Sequence, residues 1–384
     1  MSDGGPDTGV LTRRRWLASL AATGVGLAGC TSPLSQEPEP ETLFERAFDP
    51  ESTVDVRGTR REVARRGDEE RWRKTRFWER YPEASRVEII DVGEEGYIFR
   101  SVPGTIRVST ETAVWRYDPD SGQAFKTERD RERTESIEEQ LAEFDITHEG
   151  TETLVGRETH RLVLSLPDDT DGLVPFPILP VSTGAGDDTG LRPTEFEFWI
   201  DDEYEYPLKW VQTLTDGAGK LTVRQIQEVE SLTFEPEFEE GRFVFDPPEG
   251  VEVGEANTPD SVDHYDSLET GRENSPNPVP SAEVPEPYVF SGVTVSERDG
   301  RIQTSILYTD GLDGRIFILV RKADMPLQQE LTTVGTVEGV LHEHDDEFSF
   351  SWNCGQYRYR VSDVETESTL ASVVESIGCE GNQD

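Results

Sequence analysis

The 384-residue chain carries 79 acidic and 37 basic residues, a formal net charge of −42, and is 34% hydrophobic. A field this negative argues against nucleic acid as a partner and against adsorption to anionic lipid headgroups. The length suffices for two domains with a sizeable core, and alternating aromatic-rich segments oppose the disorder that charge alone would suggest.

Along the chain, the first signal is TRRRWL, 12–17, with the pair Arg13 and Arg14, the bulky Trp16 and then Leu17. The apolar stretch that follows ends near Leu27 and is too short to span a bilayer, which takes about 20 residues. A basic region before a short, weak apolar run is a targeting signal, and the twin-arginine form marks export of folded protein. The run closes in Leu27, Ala28, Gly29 and Cys30, which resembles a lipoprotein lipobox; the Cys30 thiolate would take the lipid. An ordinary signal peptide with a chance cysteine is the alternative. GVGLAG, 24–29, matches GxGxxG only literally, since no strand precedes it. Residues 31–41 read as a flexible tether. The expected location is therefore extracytoplasmic, on the outer face of the cell membrane. Only five basic residues are Lys, and this acid-rich, Lys-poor composition resembles that of proteins from extreme halophiles.

Residues 42–253 read as one β-rich domain. A short helix is expected over 42–48. Segments 53–66 and 69–81 are ambiguous by charge, but Val54/Val56, Trp72/Phe77/Trp78 and the YPEASRVEII that follows favour long twisted strands. Strands are expected at 97–101, 105–109 and 113–117, with a turn at 118–122. A helix over 129–144 would present Ile137, Leu141 and Phe144 on one face. Strands follow at 152–155, 159–165, 194–200, 207–214, 220–228 and 241–245. The fold class is mainly β (α+β): a strongly curved antiparallel half-barrel with covering helices, then a smaller C-terminal β-rich domain ending in a helix. Residues 254–287, rich in Pro, Asn and Ser, read as a linker. The second domain, 288–379, is expected to have strands at 288–295, 302–308, 315–321, 332–341, 347–352 and 356–361. A helix over 367–377 carries Leu370, Val373, Val374 and Ile377 on one face, stops at Gly378, and leaves a tail from 380.

Three segments of the first domain, VWRYDPDSG (114–122), FWIDDEYEYPLKW (198–210) and FVFDPPEGVEV (243–253), resemble in order the LolA/LolB-like superfamily. That superfamily includes lipoprotein-sorting carriers and the N-terminal part of RseB/MucB sensors. YTDG (308–311), FSFSWNCGQYRYRVS (348–362) and VVESIG (373–378) resemble, more weakly, the C-terminal module of RseB-type sensors and of anti-sigma-associated proteins. The resemblance implies a half-barrel with an apolar concave face that holds acyl chains in the carriers. The carriers are soluble, whereas a lipid-anchored chain with an extra domain is not a shuttle.

With Cys30 lipidated, Cys354 and Cys379 remain, and outside the cytoplasm two such thiols tend to pair. Two reduced thiols are the other reading. LVPFPILPV, 173–181, places Val174, Phe176, Ile178 and Leu179 among three prolines that forbid a central strand or long helix. Such a segment is a lid packed on its own domain, or a membrane- or ligand-contacting lip at a cavity mouth. HEHDDE, 342–347, offers His342, His344 and Asp346 as N and O donors for a metal, but a polar hairpin tip accounts for them without one. Carboxylate pairs such as Asp201/Asp202 are expected by chance at this acid content. No nucleophile elbow, HExxH, P-loop or CxxC occurs, so no enzyme activity and no cofactor are expected. The leading expectation is a surface lipoprotein that binds lipid or acylated protein. The alternatives are an RseB-type envelope-stress sensor acting on a membrane protein partner through its C-terminal domain, and a structural surface protein without a ligand.

Overall fold

The computed structural model describes residues 39–48, 54–81, 83–93, 102–128, 144–166, 191–216, 221–255, 261–312, 314–323, 327, 331–344 and 347–379. The fold is mainly β, in two open sheets that are antiparallel except for one short parallel pair. The first sheet starts from a hairpin of two 13-residue strands, β1 (Val54–Arg66) and β2 (Glu69–Tyr81), closed by Gly67–Asp68. On the β2 side the chain meanders outward through β3 (Ala84–Val92), β4 (Ile106–Ser109), β5 (Ala113–Asp118) and β6 (Gln123–Glu128). On the β1 side lie, moving outward, β11 (Thr222–Phe234), β10 (Pro207–Thr215), β9 (Arg192–Asp201), β8 (Arg157–Ser165) and β7 (Asp145–Leu154). A short β12 (Val253–Glu255) runs parallel to β6 at the far edge.

Helix α1 (Pro40–Phe48) packs on β7 and β9. Its buried face is Leu43, Phe44, Ala47 and Phe48, spaced one helical turn apart. The Phe44 and Phe48 rings meet the Phe198 ring edge-on at 5.1 and 5.4 Å, the geometry that aromatic quadrupoles favour. Strand alternation supplies the rest of this core, with Val56, Phe77, Tyr81, Leu162, Leu164, Phe196, Ile200, Tyr206, Leu208 and Val229 facing the helix.

The second sheet has the order β13 (Ser261–Tyr265), β14 (Val289–Arg298), β15 (Arg301–Thr309), β16 (Arg315–Lys322), β20 (Tyr357–Val364), β19 (Glu347–Cys354), β18 (Val337–His344) and β17 (Thr332–Val334). Helix α2 (Leu268–Asn274) lies against β13 and β14. Helix α3 (Glu367–Ile377) is capped by Thr366, whose hydroxyl accepts from Thr369 N, and it buries Leu370, Val373 and Val374 over Trp352 and Phe350.

Several expectations change. The stretch 254–287 is not bare linker: 261–265 pairs with β14 and 268–274 is helical. Its polarity reflects an edge strand whose residues are mostly exposed. No strand forms at 241–245, where Arg242 N donates to Glu239 O and Val244 N to Gly241 O in turns ahead of Pro247–Pro248. Strand β6 was not foreseen, and β7 starts seven residues before the expected 152. The run 332–341 is broken by a Gly335–Thr336 hairpin turn. The strand expected at 97–101 and the helix over 129–143 lie outside the described residues; Phe144 packs against Phe196 at 5.8 Å.

Both sheets belong to one compact unit, joined by the loop after β15. Asp310 Oδ1 accepts from Leu312 N and Gly314 N, while Oδ2 pairs with Arg66 Nη1 at 2.9 Å. Arg66 also donates to the Asp310 carbonyl. Gly311 has φ +80° and sits so close to the first sheet that a Cβ would come within 2.4 Å of Val223. Leu191, Leu214, Leu221 and Val223 form the apolar patch it meets. Asp310→Ala is therefore expected to cost about 2 kcal/mol, since it leaves two buried amides without an acceptor and removes one of the two carboxylates that hold Arg66, the other being Glu69. Hydrogen exchange should accelerate at Leu312 and Gly314; unchanged protection there would refute the latch.

Candidate functional site

The α1-facing side of the first sheet changes character across its width. Cross-strand pairing places Arg73, Glu62, Gln227, Trp210, Phe198 and Leu162 in one row over six strands. The neighbouring row runs Ala64, Gln225, Gln212, Phe196 and Leu164. In these two rows the face is polar over β1, β2 and β11, apart from Ala64, and apolar over β9 and β8, beside α1. Alternation along β11 explains why glutamines point inward: Val223, Gln225, Gln227 and Val229 share one face, and all four are buried.

The polar end is a buried charge network. Arg60 Nη1 donates to Glu79 Oε1 at 2.9 Å, and the Tyr206 hydroxyl donates to Glu79 Oε2 at 2.6 Å. Arg73 Nε donates to Glu62 Oε2 at 2.9 Å. The Arg60 guanidinium also lies 4.9 Å from the Phe77 ring centre. Burial works against the charge on Arg60, but Glu79 and Glu62 outweigh it and raise its pKa. Burial likewise pushes Glu62 up, and Arg73 with Arg60 reverses this to a net lowering. Burial, then the charge of Glu79, holds the Tyr206 phenol far above its ordinary value, so it stays a donor.

Five groups in this patch have no hydrogen-bond partner although they are fully buried: Arg60 Nε, Thr75 Oγ1, Trp210 Nε1, Gln225 Oε1 and Gln227 Oε1. Arg60 Nε is 3.8 Å from Glu62 Oε1, too far for a hydrogen bond. Each unmet group costs about 1–3 kcal/mol, and folded proteins carry few of them. Five together on one face are a set of donors and acceptors without a counterpart. None was singled out from sequence. The available signal was polar residues at inward parity, in V-x-Q-x-Q-x-V of β11 and V-x-G-x-R-x-E of β1.

Of the residues expected to carry function, Arg13, Arg14, Trp16, Leu17, Leu27, Ala28, Gly29 and Cys30 lie outside the described residues, as do Val174, Phe176, Ile178 and Leu179. No described helix is long and apolar enough to cross a membrane. His342 is exposed near the end of β18, and the backbone of His344 pairs with Glu347 to close the hairpin; Asp346 lies outside the described residues. Among the described residues no group of three or more His, Cys, Asp or Glu is arranged to hold a metal. Cys354 and Cys379 adjoin: Cys354 Sγ lies 3.3 Å from the Cys379 carbonyl oxygen. Asp201 is engaged by Arg157 and by the amides of Glu203 and Tyr204, and Asp202 by His160. The chance-adjacent carboxylates thus each have a separate structural partner.

In sequence, no family model and no curated protein matches this chain. Among solved structures, it is similar to a chain of the Pseudomonas aeruginosa MucA/MucB complex, with 14% identity, a TM-score of 0.39, and coverage of 88% of this chain and 98% of that one. It is also similar to a LolA superfamily protein from Nitrosomonas europaea, at 10% identity and TM-score 0.26, covering 54% of this chain and 98% of that one. A third similar structure is the Mycobacterium tuberculosis lipoprotein LppX, at 13% identity and TM-score 0.28, covering 53% of this chain and 98% of that one.

Proposed function

We propose that this protein is a non-catalytic binding protein that holds an amphiphile, a lipid or the acyl chain of an acylated protein, on the α1-facing side of its first sheet. The observation that carries the reading is the set of five buried, partnerless polar groups beside an aromatic surface. A ligand headgroup would satisfy Arg60 Nε, Trp210 Nε1, Gln225 and Gln227. Its chain would lie over Phe196, Phe198, Leu162 and Leu164, ground that α1 borders and must partly yield. The half-barrel expected from the sequence suits this arrangement. In this reading a lipid on Cys30 holds the chain at the outer face of the membrane, and α1 directly follows the tether.

The test is native mass spectrometry of the purified full chain, followed by lipid titration. Wild type should carry or take up one amphiphile. Gln225→Leu/Gln227→Leu should lose it while melting no lower than wild type, because two unmet polar groups have been removed. A wild-type protein that carries no lipid and binds none from a broad panel would refute the reading.

A sensor role is the second reading, favoured by one observation. Strand β1 carries Arg60 and Glu62 at the site and, at its end, the Arg66 that grips Asp310 of the second sheet. Ligand-dependent hydrogen exchange at 310–312 would support it, and identical exchange with and without ligand would exclude it.

A further inference from the structure

Strands β7 and β8 bring together two of the chain's five histidines. His148 Nε2 and His160 Nδ1 face each other at 3.2 Å, and the other nitrogen of His160, Nε2, is 2.9 Å from Asp202 Oδ1. The arrangement is built rather than incidental. His160 is buried at the end of the Leu162/Leu164 face, on a strand paired to both β7 and β9. A register shift in β7 between His148 and Thr151, with Gly150 at φ +105°, brings His148 diagonally across to it. Asp202 is fixed from behind, since its backbone N donates to Glu158 O.

The protons constrain what this cluster does. An ionised Asp202 only accepts, so His160 Nε2 carries a hydrogen. Nδ1 of the same neutral ring is then a bare lone pair aimed at His148 Nε2. A carboxylate holding one imidazole nitrogen so that the other presents its lone pair is the supporting arrangement of metal-ligating histidines. The spacing agrees. Two nitrogens bound tetrahedrally to Zn²⁺ at about 2.0–2.1 Å stand about 3.3 Å apart.

We propose that His148 Nε2 and His160 Nδ1 form a two-histidine site for a divalent ion of Zn²⁺ type, with Asp202 as the positioning residue. Binding displaces the proton from between the two nitrogens; His148 shifts it to its own Nδ1 through solvent, so both rings stay neutral, and water completes the coordination. His148 is only half-buried, which leaves the outer positions open. The site lies at the rim of the sheet, apart from the Arg60–Glu79 network, and does not depend on the amphiphile reading.

The test is calorimetric titration of the chelator-treated full chain with Zn²⁺ in 1 M salt, where charges on the surface carboxylates are screened within about 3 Å. One saturable equivalent is expected, with Co²⁺ in its place giving tetrahedral visible bands. His148→Ala should weaken binding at least tenfold, and Asp202→Asn about 10- to 100-fold. Exposed His264→Ala should change nothing. Should buried His160→Gln fail to fold, the edge-strand variant His148→Ala still decides. The absence of a saturable equivalent, or one that survives His148→Ala with its cobalt spectrum intact, would overturn the site.

Discussion

Glu79→Ala is expected to destabilise the protein by about 3–5 kcal/mol, the usual cost of removing one partner from a buried ion pair. The Arg60 and Glu79 side chains keep only 10% and 5% of their surface exposed, so water does not replace the lost carboxylate. The substitution leaves the Arg60 charge with Glu62 alone, at 3.8 Å, and strips the Tyr206 hydroxyl of its acceptor. Arg60→Met/Glu79→Leu should recover most of that stability, because both desolvated charges leave together. Thermal melts of the two variants check this, and equal melting temperatures would show that the pair is not an electrostatic unit. The same network sets an acid limit. Glu62 has a depressed folded-state pKa, so its contribution is complete above the unfolded value of about 4.3 and is lost as pH falls through the lower folded value. A ligand that satisfies Arg60 Nε should blunt the effect of Glu79→Ala, which makes the variant a probe of occupancy as well as of folding.

Elements with strong periodicity are legible in the sequence. The amphipathic 367–377 helix with its Gly378 stop and the 42–48 helix follow from apolar spacing, whereas the charged runs of β1 and β2 also read as helix and only their apolar and aromatic residues favour strands. What misled was local composition without its tertiary context. The exposed β13 reads as linker because an edge strand needs few apolar residues. FVFDPP reads as a strand, although its prolines leave it to pack Phe245 from a turn. The candidate ligand groups were harder still. Gln225 and Gln227 are separated by Ile226, and the apolar residue is the natural choice for the core. Their alternation with Val223 and Val229 hints at an inward face, and the register with β1, where Gln227 opposes Glu62, decides it. The His148–His160 contact is likewise invisible from spacing, because a bulge rather than regular pairing brings the rings together.

Oxidising Cys354 and Cys379 to a disulfide should stabilise the second sheet by up to about 3.5 kcal/mol, the chain-entropy value for a loop of about 25 residues. The fold already holds the two residues together without the bond. Cys354 ends β19 at the Gly355–Gln356 turn, and Cys379 follows α3. Trp352 Nε1 donates to the Gly378 carbonyl at 3.2 Å, and Cys379 Sγ is 4.0 Å from the Asn353 carbonyl oxygen. Little native geometry therefore has to be distorted, so strain subtracts little from the entropic gain. The order of reaction also follows. Burial, reinforced by Cys379, pushes the Cys354 thiol up to about 12, so at neutral pH it is almost wholly protonated and a poor nucleophile. Cys379 is the exposed thiol and should be alkylated first. Melts with and without reductant, with Cys354→Ser as the control, measure the stabilisation. Coincident melts, together with peptide mapping that finds both thiols free in the purified protein, would show that α3 is held without the bond, by Leu370, Val373, Val374 and the Trp352–Gly378 hydrogen bond.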